Sequence, residues 1–400
     1  MLKAANTSVE AAMRLFNGAG ITTGLLVPTA TGYHKSIMDA TLSFRDFLRE
    51  TGTHEYKTQL QGQDNKVFVP ARLVYPDHCF DTEASLYRPI TKKGDPRIWF
   101  GKLTHYCKPT DLLAVISHDK VLYVFNMSDP EVVQAFGIPG SCPHEILANC
   151  AETVSPVAKE LLDKLRKIHA MGFVKGITPG DTNIGVTLEH LLGIPPNTLK
   201  TPDYKGIELK ASRQSPRQRA SDSKRVTLFT NTPDWTRSKF SAAEILQHFG
   251  YPGEHGDCQL YCTVSNEPNA QGLFLDASDE IDLVNRATTE SYTGEVAVWA
   301  LETLKARLAE KHKETFWVQA ESKVYDGHEF FEYNVVRHTR KPNTSNLGSM
   351  FDAGIITLDY ARYLRPSGSV RDHGYLFRTT REKMKHIFPI ERVYDLSLIS

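Results

Sequence analysis

The 400-residue sequence contains no close pair of cysteines. Its six, Cys79, Cys107, Cys142, Cys150, Cys258 and Cys262, are scattered, which excludes zinc ribbons and fingers built on CxxC spacing. Cys142 stands two residues before His144 and Cys258 three after His255. No second pair at ligand spacing accompanies either, so reduced, mostly buried thiols are expected. No apolar run reaches the ~18 residues that a bilayer span needs, and no membrane partner is expected. Met1-Leu-Lys-Ala-Ala-Asn has no basic region leading into a long apolar core, so the expected location is cytoplasmic. Internal repeats and low-complexity segments are missing as well. What remains, 40% hydrophobic and 24% charged residues, is an ordinary globular composition. The length provides for two or three domains, each with its own core.

A net charge is also lacking, with 47 Lys+Arg against 47 Asp+Glu. Taken whole, that zero speaks against nucleic acid, whose binding domains are usually basic. The distribution says otherwise. Residues 1–150 hold 15 basic and 15 acidic side chains, residues 200–241 hold 10 and 4, residues 251–300 hold 1 and 9, and residues 361–392 hold 8 and 3. Two basic stretches flank an acidic one, the pattern of a surface that meets an anionic ligand on one side.

The first part of the chain, residues 1–140, reads as a β-rich domain. Short β-branched and aromatic runs stand at 66–70, 85–88 and 97–100, and a hairpin joins Leu112–Ile116 to Val121–Phe125. Asp129-Pro130 starts a short helix ending near Gly137, and the breaker-rich Ile138-Pro-Gly-Ser-Cys-Pro serves as a linker. Residues 150–400 form the second domain. Helices are expected from Ser155-Pro156 to Gly172, over 186–192, from Ser241 to Gly250 with a capping box to Glu244, and over 295–312. Strands are expected at 206–211, 226–229, 316–324 and 330–336. The mixture makes the class α/β or α+β.

The most informative stretch is Thr201-Pro-Asp-Tyr-Lys-Gly-Ile-Glu-Leu-Lys210. Glu208 and Lys210, two apart on an expected strand, point to one face, while Leu209 points into a core. Asp203 precedes a Lys-Gly turn that can bring its carboxylate back beside Glu208. Two carboxylates and an ammonium on one face are the group set for metal-assisted phosphodiester hydrolysis, with Mg²⁺ on the carboxylates and the cation near the scissile phosphate. The bare triple is common in charged sequence, and Glu321-Ser-Lys323, which lacks a preceding Pro-Asp, reads as an exposed strand face.

Five segments in order, Asn183-Ile-Gly-Val-Thr-Leu-Glu-His-Leu-Leu, Pro202-Asp-Tyr-Lys-Gly-Ile-Glu-Leu-Lys, Thr227-Leu-Phe-Thr, Ala320-Glu-Ser-Lys and Asp372-His-Gly-Tyr-Leu-Phe-Arg378, resemble the core of the MvaI/BcnI restriction endonucleases. These are relatives of MutH in the PD-(D/E)xK nuclease superfamily, and the resemblance covers roughly residues 155 to 395. It implies a nuclease fold around a central mixed sheet. It also implies Asp203 and Glu208 as ligands of Mg²⁺, Lys210 as the catalytic lysine and Glu189 as an acidic residue at the edge of the site. The implied reaction is cleavage of double-stranded DNA at a CCNGG-like site, leaving a 5′-phosphate and a 3′-hydroxyl.

The basic loop after the catalytic strand, with Arg213, Arg217 and Arg219, is expected to follow phosphates. Base reading is expected from Arg371, Asp372, His373 and Arg378, because Arg can fork onto guanine and Asp can accept from cytosine. A relative in that family has a His where this chain has Arg371, which leaves the central base open. The N-terminal domain loosely resembles the pseudobarrel effector domain of EcoRII, joined to an MvaI-like nuclease as in UbaLAI-like two-domain enzymes. That resemblance places Lys92, Lys93 and Arg97 on an arm entering a second DNA copy; the electroneutral block leaves an interaction or scaffold domain as the alternative. A MutH-like strand nickase and a non-catalytic DNA-binding protein are the alternatives. A monomer cutting the strands in succession and a dimer cutting both together are equally open.

Overall fold

The computed structural model describes residues 6–91, 94–151, 155–195, 203–213, 225–253, 258–278, 281–364 and 370–398. By compactness the chain divides into two units that interleave along the sequence. One comprises Met1–Ala151, Lys224–Lys311 and Asn343–Ile387, the other Glu152–Ser223, His312–Pro342 and Phe388–Ser400.

In the first unit, alternating apolar residues build a seven-stranded sheet. Its order is Thr23–Leu26, Leu113–His118, Val121–Asn126, Val67–Val74, Cys79–Tyr87, Arg97–Phe100 and Met38–Asp39. Only the pairing of Val67–Val74 with Val121–Asn126 is parallel. Two helices that the β-rich reading passed over, Asn6–Ala19 and Leu42–Glu50, belong to this part. The second begins at Thr41, whose hydroxyl accepts from Phe44 N, and buries Phe44, Phe47 and Leu48. Turns occupy 138–141 of the expected linker, while its last two residues already belong to a helix, Cys142–Cys150, capped by Ser141. Cys79 and Cys142, expected as reduced thiols, are joined in a disulfide.

The later part of this unit holds two further sheets. Arg225–Thr230, Leu376–Thr380, Thr357–Leu364, Cys258–Val264 and Tyr251–Pro252 lie in that order, with Val370–Asp372 also paired to Thr357–Leu364. Leu273–Asp276, Asp282–Thr288 and Thr293–Ala300 form the other. The last of these corrects the helix expected over 295–312, which starts only at Leu301 and runs to Lys311. Val296, Val298 and Trp299 are strand formers, and with Ala297 they are all buried in the sheet, so the local preference and the packing agree on a strand.

The second unit carries the elements that matter for chemistry. They are helix α1 (Pro156–His169), strand β1 (Val174–Lys175), helix α2 (Asn183–Leu191), β2 (Glu208–Arg213), β3 (Thr315–Tyr325), β4 (His328–Thr339) and β5 (Arg392–Asp395). The sheet order is β5-β4-β3-β2, with β1 on β4. The sheet is mixed, since β2 runs parallel to β3, starting at Glu208 opposite Thr315, and the other pairs are antiparallel. Ser155 caps α1 by accepting from Ala158 N, and Pro156 takes the first helical position. The stripe Leu161, Leu162, Leu165 and Ile168 then packs with Ile184 and Leu188 of α2 and with Leu209, Phe316, Val318, Phe331 and Tyr333 of the sheet. No helix among the described residues is long and apolar enough to cross a membrane.

Phe316 is fully buried on β3, in register with Leu209 of the neighbouring strand β2. Phe316→Ala is expected to destabilise this unit by about 3–5 kcal/mol, read as an early unfolding transition in urea followed by circular dichroism. An unchanged transition would contradict the packing described.

Candidate active site

A two-residue turn builds the site. Tyr204 N donates to Ile207 O at 2.9 Å and Ile207 N to Tyr204 O at 2.8 Å, while Lys205 and Gly206 take φ of 45° and 98°. Positive φ at both central residues is the type I′ hairpin geometry, which glycine tolerates without strain. The turn folds Asp203 and Glu208 onto adjoining arms, and Asp203 Oδ2 accepts from Leu209 N at 2.8 Å. Glu160 of α1 grips the turn from outside. Its carboxylate accepts from Lys205 Nζ at 2.9 and 2.7 Å and from the hydroxyl of the buried Tyr204 at 2.7 Å. These donors hold the Glu160 carboxyl below its ordinary range.

Lys210 Nζ donates to Glu208 Oε1 at 2.8 Å, and Lys313 Nζ lies 3.8 Å from Glu208 Oε2. Glu189, half-buried on α2, completes the cluster electrostatically. Burial and then the charge of Asp203 push its carboxyl upward, and Lys210 pulls the other way. Asp203, Glu208, Lys210 and Glu189 are therefore brought together in one unit. Glu160, Lys205 and Lys313 were not anticipated. A parallel strand pairing across about a hundred residues puts Lys313 there, and no local pattern signals it.

Asp203 and Glu208 are hard oxygen donors. Among the described residues no group of three or more His, Cys, Asp or Glu is arranged to hold a metal ion. A two-carboxylate set fits Mg²⁺, which keeps several waters and shares its shell with substrate phosphates rather than filling an all-protein cage. It does not fit structural zinc.

The other residues singled out in the sequence are placed differently. Arg213 ends β2 with its guanidinium on Glu329 of β4, donating from Nε at 2.7 Å and Nη2 at 2.8 Å, and also to Asp181 O at 3.2 Å. It braces the unit rather than standing open to phosphate. Arg217, Arg219, Lys92 and Lys93 lie outside the described residues. Arg97, expected on an arm, sits instead in the strand Arg97–Phe100 with its side chain mostly covered and Nε 3.9 Å from Asp39.

Arg371, Asp372, His373 and Arg378 belong to the first unit. Arg371 and His373 are exposed. Asp372 accepts from Gly374 N and pairs at 3.1 Å with Arg362, which is fully buried between the rings of Tyr360 and Tyr375. Arg378 donates to Asp359 Oδ2 at 2.9 Å, and the other oxygen of Asp359 accepts from Arg225 at 2.8 Å and Thr263 at 2.9 Å.

Residues 162–388, more than half of the chain, match the model of the MvaI/BcnI restriction endonuclease family. The chain belongs to that family. Within the matched span lie the Asp203–Lys210 turn and strand, Glu189 and the 371–378 segment. Two solved structures of the restriction endonuclease MvaI are similar to this chain. One, a complex with cognate DNA substrate, is 22% identical over 61% of this chain and 100% of its own, with a TM-score of 0.36. The other, without DNA, is 21% identical over 60% and 99%, with a TM-score of 0.38. No match is found among curated proteins. Family membership makes the chain a DNA nuclease by descent, and the site supplies groups suited to that chemistry.

The raised carboxyl of Glu189 gives a signed expectation. A carboxyl that holds its proton more tightly when folded contributes stability below its unfolded pKa, and this is lost as pH rises through the folded value. Glu189→Gln stays neutral, so its thermal stability from about pH 4 to neutrality should fall less than that of the wild type. Parallel melting curves for the two proteins would refute this.

Proposed function

We propose that this member of the MvaI/BcnI restriction endonuclease family is a type II enzyme. It hydrolyses double-stranded DNA at a short, CCNGG-like site with Mg²⁺ as cofactor. The observation that carries the reading is the turn that sets Asp203 beside Glu208 with Lys210 on the same strand face. Asp203 and Glu208 would hold the cation. When bound, it supplies charge neutralisation at the scissile phosphate and a more acidic water. Lys210 keeps Glu208 in place and puts a positive charge where phosphoryl charge grows. Glu189 would stand at the edge of the site as a further acidic residue. A bond forms between water oxygen and phosphorus as the bond from phosphorus to O3′ breaks. One water proton ends on O3′, and the products are a 5′-phosphate and a 3′-hydroxyl.

Incubation of supercoiled plasmid with wild-type protein and Mg²⁺ should give linear DNA. Asp203→Asn or Lys210→Met should slow cleavage by about a hundredfold or more while binding persists in Ca²⁺. Accumulation of nicked circles alone would instead favour a MutH-like nickase, and tight binding with intact plasmid a non-catalytic DNA-binding protein.

In the proposed recognition segment Arg371, Asp372 and His373 are exposed, Asp372 while paired with Arg362, whereas Arg378 is half-buried and held by Asp359. Arg371 and His373 are thus ready to meet base edges, and the network orients the other two. Arg371→Ala should cost about 1–3 kcal/mol of discrimination at one base pair, measured as relative cleavage of oligonucleotides differing at that position. Equal loss on every sequence would mark Arg371 as a phosphate contact instead. The proposal extends to a second DNA copy on the N-terminal part of the chain, in line with the resemblance of residues 92–100 to an effector domain.

A further inference from the structure

Glu208 is bracketed by two ammonium groups, one for each oxygen. Lys210, two residues along the same strand, takes Oε1 at 2.8 Å, and Lys313 approaches Oε2 to 3.8 Å. The backbone fixes the second approach. Glu208 N donates to the carbonyl of Glu314 at 2.8 Å, and Thr315 is the parallel partner of Glu208. The residue just before Glu314 is thereby brought beside the Glu208 carboxylate. Glu314 is anchored in turn, since its Oε1 lies 2.8 Å from Nε2 of the buried His338. Lys313 therefore reaches Glu208 from a braced segment, with its side chain about a third exposed.

A carboxylate oxygen that meets an ammonium is less available to a divalent cation, because the two positive charges compete for the same lone pairs and repel each other. One lysine on Glu208 is accounted for by the reaction. The other is not. We propose that Lys313 is a positioning residue that guards the second oxygen of Glu208, weakening metal binding while DNA is absent. A DNA phosphate then offers the displaced ammonium another anionic partner, so that metal loading is favoured on the bound substrate. This rests on the reading of Asp203 and Glu208 as the metal-binding pair.

The test uses the full chain without DNA, titrated with Tb³⁺ and followed by tryptophan-sensitised luminescence. Trp317, the strand neighbour of Lys210, is a suitable donor. Lys313→Met should tighten Tb³⁺ binding about two- to fivefold, the range expected for releasing a partly exposed ion pair. Lys313→Arg, which keeps the charge, should stay near wild type, and the exposed Lys159→Met should change nothing. Adding an uncleaved oligonucleotide duplex should shrink the difference between wild type and Lys313→Met. Unchanged or weaker Tb³⁺ binding by a Lys313→Met protein that melts like wild type would overturn the proposal and leave the nuclease reading standing. Unchanged binding by Glu208→Gln would overturn the metal-binding pair itself, and the role of Lys313 with it.

Discussion

The turn at Lys205-Gly206 is the constraint on which the catalytic cluster depends. A hairpin this short has two central residues, both at positive φ, so it fixes which side chains face one another with no slack. Asp203 and Glu208 gain their proximity from that closure. Glu160 and Tyr204 tie the turn to helix α1, and the parallel pairing with β3 ties the strand to the sheet. A ligand pair held in this way is organised before any cation or substrate arrives, which saves the cost of ordering it at the moment of binding.

Charge is handled differently in the two units. Around Glu208 the pairs are partly exposed, and each ammonium can exchange its carboxylate for another anion at small cost. Asp359 and Arg362 are buried instead, and Asp359 accepts from Arg225, Thr263 and Arg378. Removing one partner there would strand a desolvated charge, a heavy penalty that favours a single arrangement. The catalytic cluster is thus the adaptable one and the framework behind residues 371–378 the rigid one. On the proposed function, that division suits a site that rearranges during reaction and a surface that presents the same groups every time.

The legible parts of the fold and site were local ones. The Lys-Gly turn, the caps at Ser155 and Ser241 and the hairpin around 119–120 all follow from a few consecutive residues, and the strand read at 206–211 lies at 208–213. Contacts between distant segments were hidden. Glu329 claims Arg213, Arg362 claims Asp372 and Asp359 claims Arg378, each through pairings that no spacing encodes. Thr293–Ala300 was missed for another reason, since its Val and Trp residues favour the strand it forms but the helix Leu301–Lys311 follows without a breaker between them. The Cys79–Cys142 link joins residues 63 apart and could not be told from chance by separation alone.

Strand β2 is the last strand in the order of its sheet. An edge strand presents unpaired backbone groups along one side, an invitation to pairing with a strand from another chain. Here the edge bears Glu208 and Lys210 in alternation, and helix α2 packs against it. A strand added at that edge would set its own side chains beside Glu208 and Lys210 and partly desolvate both charges. The groups proposed to serve phosphodiester chemistry also protect the strand from aggregation, so a charge-removing substitution at this edge tests solubility as well as activity.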